Sequence, residues 1–398
     1  MLNWIFVILV LFCVIDYAKN HKIFTPIFIF NFIWLITLSL YQLKLSYLQS
    51  DLNDRTIQVF FASIVSFNLA YLFFNIFNIK GKNKVSRISS AKKIKVAKYI
   101  LLTIFGLEVI YSSGVPLLWR FIGGSKNYID YGIPSLHGAF NGLLICLGAY
   151  SIYKKRKDSL LYLAISILIL SRQVIVSMFI EAIMCMILDP NRKRLKKNKK
   201  KIVLYIILIL ALFTILGNFR SGNNTMNNVF KPKEQYENLS DTTKWVYSYM
   251  TFSISNFNLL TSMTNGNVNK GATMLNDLLP TVLLEKVNIK MKYKPFYLVS
   301  LNYTVSTYMP PVYLDYGING IICFSIIMAF IGCVFYKKYI NNKESMKNKL
   351  LYSVFVHNVL LLFFNNMFLY LPIIIQFIYI PIIFDDNKYI KKGDTNEK

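Results

Sequence analysis

The chain has 398 residues, 55% hydrophobic, 16% aromatic and only 16% charged. That is too apolar for an ordinary soluble protein and specifies a polytopic membrane protein. A net charge of +26 does not make it a nucleic-acid binder, because the basic residues cluster in short loops between apolar runs, where they set orientation and touch anionic lipid.

The opening segment, MLNWIFVILVLFCVIDYAKNHK, has neither a basic leader nor an A-x-A cleavage pattern and reads as a retained first helix. Further apolar runs follow at 24–43, 57–79, 98–113, 135–153, 159–171, 173–189, 202–217, 312–336, 350–365 and 367–384. The pattern predicts an all-α membrane protein with about eleven transmembrane helices, between about ten and twelve. Cytoplasmic loops are the Lys-rich ones. By that rule Gly81 to Lys98, Lys154 to Lys157, Arg192 to Lys201, Lys337 to Lys349 and the Lys-bearing tail share the inner side, with the amino terminus outside. Helices one to eight then occupy 1–217, a large extracytoplasmic loop 218–311, three further helices 312–384 and a cytoplasmic tail 385–398. Within the loop, Trp245 to Leu260 reads either as an interfacial helix or as a partner for a later crossing; one outward domain is the favoured reading.

The run from Ser159 to Leu188 is basic at both flanks and is broken only by Ser171, Arg172 and Gln173. Both flanks lie inside, so it crosses twice as a short hairpin. Each leg is only about 21 to 23 Å long against a hydrocarbon core of about 30 Å, which places Arg172 at a turn within a cavity or thinned bilayer. Leu350 to Phe384, broken at Asn365 and Asn366, reads as a second hairpin.

The chain has eight arginines against 37 lysines, so an arginine away from the cytoplasmic clusters stands out. Arg172 and Arg220 fall at outer-face depth. A guanidinium offers a planar fork of donors that matches phosphate oxygens, and two such forks suit a diphosphate. The alternative is that each snorkels to the interface or pairs with Glu181, Asp130 or a backbone carbonyl. Arg120 is a weaker third candidate, and Arg55 reads as a solvated loop charge. The outward loop Ser113 to Gly138 gathers Trp119, Arg120, Tyr128, Asp130, Tyr131 and His137 into a lip over a cavity, where rings stack on sugars and polar groups bond hydroxyls. The same residues also make an ordinary aromatic belt. Asp315 starts the ninth helix, as a base or as a cap.

Cys13, Cys146, Cys185, Cys323 and Cys333 all lie in apolar segments and read as small buried hydrophobes. His21, His137 and His357 are too scattered for a histidine-bound metal, and no P-loop, dinucleotide fingerprint or nucleophile triad is present.

With GVPLLWRFIGGSKNYIDYGIPSLHG, then SRQVI, GNFRSGN and YLDYGINGI in that order, the stretch from Gly114 to Gly332 resembles the bacterial oligosaccharide repeat unit polymerases, which build O-antigen and capsule. The resemblance implies a metal-independent glycosyltransferase without a cofactor, in the cytoplasmic membrane with its site outward. It would join undecaprenyl-diphosphate-linked repeat units, with a chain-length regulator and a flippase as partners. It casts Arg172 and Arg220 as stabilisers of the diphosphate, Asp315, His137 or Asp130 as the base, and the loop residues as substrate contacts. That family often has glycine before the hairpin arginine; here Leu170 and Ser171 stand there. An O-antigen ligase or related transferase, or a lipid-linked oligosaccharide flippase, are the competing classes.

Overall fold

The computed structural model describes residues 1–77, 90–122, 130–191, 199–208, 211, 226–280, 283–284 and 297–384. Among these the chain is helical, apart from one isolated antiparallel bridge between Ser46 and Pro232. In chain order the helices are α1 (Leu2–Asn20), α2 (Pro26–Gln42), α3 (Asp54–Ile76), α4 (Ser90–Ser112), α5 (Pro116–Ile122), α6 (Leu136–Tyr153), α7 (Asp158–Leu168) and α8 (Arg172–Ile187). After α9 (199–208) come α10 (Met226–Phe230), α11 (Asp241–Met263), α12 (Ala272–Leu278), α13 (Met309–Asn341), α14 (Met346–Leu360), α15 (Leu371–Ile374) and α16 (Gln376–Ile383). Among the described residues five spans are long and apolar enough to cross a membrane: Leu2–Asn20, Asp54–Ile76, Ala91–Trp119, Leu136–Tyr153 and Met309–Asn341. Their outward faces are apolar, as Val7, Val10, Val14, Leu69, Phe73, Ile110 and Ile327 show, which is the surface a lipid-embedded bundle needs.

Helix starts follow local chemistry. Thr25 caps α2 by accepting from Phe28 N at 3.2 Å, with Pro26 at the first helical position. Asn53 caps α3 through Thr56 N at 2.7 Å, and Ser345 caps α14 through Asn348 N at 3.2 Å. Leu168 ends α7 in a turn where Leu170 N donates to Ile167 O and Ser171 N to Ser166 O. That bonding pattern puts a left-handed residue after the helix, and Leu170 takes it at φ 52°. A leucine thus takes a backbone conformation that glycine favours, and the turn still closes.

Two large cores hold the bundle, beside a smaller one of Leu45, Phe230, Trp245 and Tyr303. One is built from α1, α2, α3, α11 and α13, with Phe30 and Phe67 stacked at 3.8 Å. The other is built from α4, α6, α7, α8, α15 and α16. Helix α14 belongs to both, giving Tyr352, Phe355, Val356 and Val359 to the first and Leu350, Leu351 and Val354 to the second. Helix α11 packs against α2 and α3 through polar groups: Asn258 Oδ1 accepts from Asn53 N at 2.9 Å and from Thr56 Oγ1 at 2.8 Å, while Asn53 Nδ2 donates to Asn258 O at 2.9 Å.

Close helix contacts explain several glycines. A Cβ at Gly148 would lie 2.0 Å from Met178 Sδ, and one at Gly142 would lie 2.7 Å from the Pro372 carbonyl oxygen. Helices α6 and α8 therefore run side by side with their first residues at the same end, and α15 covers the start of α6. At Asn366 the second hairpin is tied down, its Nδ2 donating to Tyr308 O at 3.0 Å.

Two sequence expectations are corrected. Arg55 is a half-buried tie and not a solvated charge: its Nε donates to Tyr313 Oη and its Nη2 to Asn265 O, each at 3.2 Å. Cys323 is exposed on the lipid-facing side of α13 and lines a groove of about 430 Å³ with Asn267, Tyr316 and Ile327, whereas the other four cysteines are buried.

Candidate functional site

The site is assembled where α4, the segment before α6 and the start of α6 converge. Glu108 is the single acidic residue of the apolar run 98–113 and is fully buried in α4. A carboxylate at that depth needs a partner, and it finds His137 in the first turn of α6. His137 Nδ1 lies 3.0 Å from Glu108 Oε2 and 3.2 Å from Oε1. On the other side of the ring, Asn141 Nδ2 lies 2.9 Å from His137 Nε2. With Nδ1 carrying the proton toward the carboxylate, Nε2 is left as the basic nitrogen, accepting from Asn141. The imidazole is 32% exposed while the carboxylate is not exposed at all, so this pair opens to the surface only through His137.

Glycine makes the approach feasible. Gly132 sits at φ 102°, and a Cβ there would fall 2.5 Å from His137 Nδ1; its own N–H donates to Ser112 Oγ at 2.9 Å. Gly114 at φ 127° does the same for Trp119, whose indole Nε1 would meet a Cβ at 2.8 Å. The rings of Trp119, Tyr131 and His137 then form an edge-to-face series at 6.2 and 5.6 Å between centroids. Burial pushes the Tyr131 phenol up from its usual range, and the Glu108 charge adds to this. Two buried polar atoms on residues touching the imidazole, Tyr131 Oη and Asn141 Oδ1, have no hydrogen-bond partner among the described residues. Such groups are the exceptions in folded proteins, and here Tyr131 packs against the His137 ring while the Asn141 amide bonds its Nε2.

The nine residues singled out in the sequence are thus placed unevenly. His137, Tyr131 and Trp119 come together. Asp130 is exposed beside them. Arg120 belongs to α5, but its side chain, like Tyr128 and Arg220, lies outside the described residues. Arg172 is the first residue of α8, half-buried, at the end of the bundle where α6 also begins. It forms no hydrogen bond or ion pair with the described residues, and Glu181, its suggested partner, pairs elsewhere. Asp315 is fully buried and caps another element: its carboxylate oxygens accept from Thr273 N at 3.0 Å and Met274 N at 2.7 Å, the first amides of α12. Glu108 and Asn141 escaped the sequence reading. A lone acid inside an apolar run was the available signal for the first, and position one turn after His137 for the second.

A second polar cluster lies deeper. Glu181 on α8 faces His357 on α14 and Gln376 on α16, all fully buried. Among the described residues no group of three His, Cys, Asp or Glu is placed to hold a metal ion. Comparison with protein-family models, with curated proteins and with solved structures gives no match.

Proposed function

We propose that this chain is a membrane glycosyltransferase that polymerises undecaprenyl-diphosphate-linked oligosaccharide repeat units into a surface polysaccharide. In this reading about eleven helices cross the bacterial cytoplasmic membrane, residues 218–311 lie outside it, and the Glu108–His137 pair opens outward. The observation that carries it is the imidazole held between a buried carboxylate and an amide, edged by Trp119 and Tyr131. An acceptor hydroxyl attacks the anomeric carbon of the growing glycan as the bond from that carbon to the diphosphate oxygen breaks. The electron pair leaves with the lipid diphosphate, and the hydroxyl proton passes to His137 Nε2 once the hydroxyl has replaced the Asn141 N–H there. Glu108 stabilises the imidazolium that forms. Rotation of the Asn141 amide then brings its partnerless Oδ1 to the new N–H.

Negative charge develops on the leaving diphosphate, and a guanidinium preorganised toward it lowers the barrier. Arg172 suits that role because it is half-buried and bonded to none of the described residues; Arg220 and Arg120 are its proposed companions. The aromatic rings stack on sugar faces. Asp315, with both oxygens used by backbone amides, serves the fold in this reading and not the proton transfer.

Deleting the gene and sizing the surface glycan tests the reading. Loss of long chains with single repeat units still attached supports a polymerase. Persistent long chains, or no surface glycan at all, would overturn it in favour of a ligase or a flippase.

A further inference from the structure

The second polar cluster is not used by that chemistry, and its hydrogen bonding carries a separate conclusion. Glu181 Oε1 accepts from His357 Nδ1 and from Gln376 Nε2, each at 3.1 Å. His357 Nε2 faces Ser177 Oγ at 3.3 Å. Two atoms are left over: Glu181 Oε2 and Gln376 Oε1, both buried and both without a partner. They belong to two side chains already joined by one bond. A carboxylic acid and a primary amide form a two-bond ring, in which the amide N–H meets the acid carbonyl oxygen and the acid O–H meets the amide oxygen. The first of those bonds is present here, and a proton on Glu181 would let the two leftover atoms complete the second.

We infer that Glu181 is a proton-binding site within the membrane-spanning core, holding the proton on Oε2 as a neutral acid joined to Gln376. His357 is then a neutral imidazole that donates from Nδ1 to Glu181 and accepts from the Ser177 hydroxyl at Nε2. The competing arrangement has the same proton count but places it on the ring, as an imidazolium beside a carboxylate. That form leaves Glu181 Oε2 and Gln376 Oε1 as two acceptors with no donor, each costing about 1–3 kcal/mol when buried, and it adds the desolvation of two ions.

Nothing nearby supplies a counter-charge that would reverse this choice. The titratable groups on α6, α7, α8, α14 and α16 include Cys146, Asp158, Tyr162, Cys185 and Tyr379, with the cations Arg172 on α8 and Lys347 and Lys349 on α14. Arg172 begins α8 nine residues before Glu181, and Lys349 lies two helical turns away from His357 along α14. Its ammonium is committed at 3.0 Å to Tyr153 Oη, which in turn donates to Asp189 at 2.8 Å. The proton site therefore ties the hairpin that carries Arg172 to the hairpin of α14–α16 by neutral hydrogen bonds, independently of whether the transferase reading holds.

The test is infrared difference spectroscopy of the purified full chain in detergent near neutral pH, wild type against Glu181→Gln. Glutamine can rebuild the ring as an amide pair. The expected result is loss of one protonated-carboxyl carbonyl band, a band that shifts in heavy water, with no change in the carboxylate bands. Loss of carboxylate bands instead would overturn the proposal and place the proton on His357. A protonated band that appears only when sodium is removed would also overturn it, making the site one for a metal cation. If Glu181→Gln does not accumulate, Gln376→Leu decides. Removing the amide acceptor should move the same band to higher frequency, and an unmoved spectrum would sink the idea.

Discussion

Glu108 Oε2 stands 3.0 Å from His137 Nδ1 although the two residues lie 29 positions apart, so a carboxylate from one spanning helix fixes the imidazole at the start of another. If His137 is the base, Glu108→Gln should lower glycan transfer by about a hundredfold or more, since the amide cannot stabilise the imidazolium. His137→Gln should cost at least as much. The double variant should be no worse than the poorer single one, because the residues act as a unit. Surface-glycan length measured at equal membrane expression checks this, and unchanged length in both singles would leave the pair a packing device.

Arg172→Lys keeps the charge and loses the fork of donors. It is expected to shorten the surface polymer while membrane insertion and thermal stability stay near wild type, because Arg172 makes no bond with the described residues. Full-length polymer from this variant would return Arg172 to a snorkelling role.

Asp315→Asn separates cap from catalyst. The carboxylate accepts from two backbone amides, and an Asn oxygen can replace one of those bonds while its NH₂ faces the other donor. A loss of about 1–3 kcal/mol follows, seen as a lower thermal midpoint in detergent with transfer per folded molecule preserved. The reverse result, normal melting with no transfer, would make Asp315 part of the chemistry.

Asp277, in α12, supplies a pH dependence. Burial pushes its carboxyl up to about 6, the Asp315 charge adding to this while a hydrogen bond from Asn276 opposes it. The folded chain thus holds this proton more tightly than the unfolded chain, where an Asp titrates near about 3.9. The stability it contributes is complete below that value and is lost as pH rises through about 6, by at most about 3 kcal/mol. Asp277→Asn should flatten thermal stability between about pH 4 and pH 6 and raise the midpoint near neutral pH; an unaltered slope would refute the assignment.

Gly142→Ala tests the contact between α6 and α15. The added methyl would meet Ile375 Cγ2 at 2.3 Å and the Pro372 carbonyl oxygen at 2.7 Å, and backbone cannot turn aside as a side chain can. A destabilisation of about 1–3 kcal/mol is expected, read as a lower thermal midpoint. An equal or higher midpoint would mean that this approach is looser than the geometry gives.

The sequence marked the five long apolar spans and two helix breaks, because polar residues at Ser171 and at Asn365–Asn366 interrupt otherwise continuous hydropathy. It also placed His137, Tyr131 and Trp119 on one lip. It could not pair Glu108 with His137, since spacing within each helix does not say which faces meet across two of them. Helix α11 stayed ambiguous for a physical reason: its buried residues mix Lys244, Ser248, Thr251, Asn256 and Asn258 with Trp245, Phe252, Ile254 and Phe257, so hydropathy gives no clean apolar stripe. Arg55 looked solvated because its acceptors, Tyr313 and Asn265, are supplied more than two hundred residues later.

Sharing α14 between two cores has a consequence for biosynthesis. Helices α1 to α3 emerge first, and local bonds such as Asn31 to Asn68 can form at once. Ser63, though, is 245 positions from its partner Tyr308, and the wall that closes both cores ends only at Leu360. The early helices must therefore wait in the bilayer with their polar inner faces open until nearly the whole chain has been made. That waiting period is when a membrane chaperone would matter most to this protein.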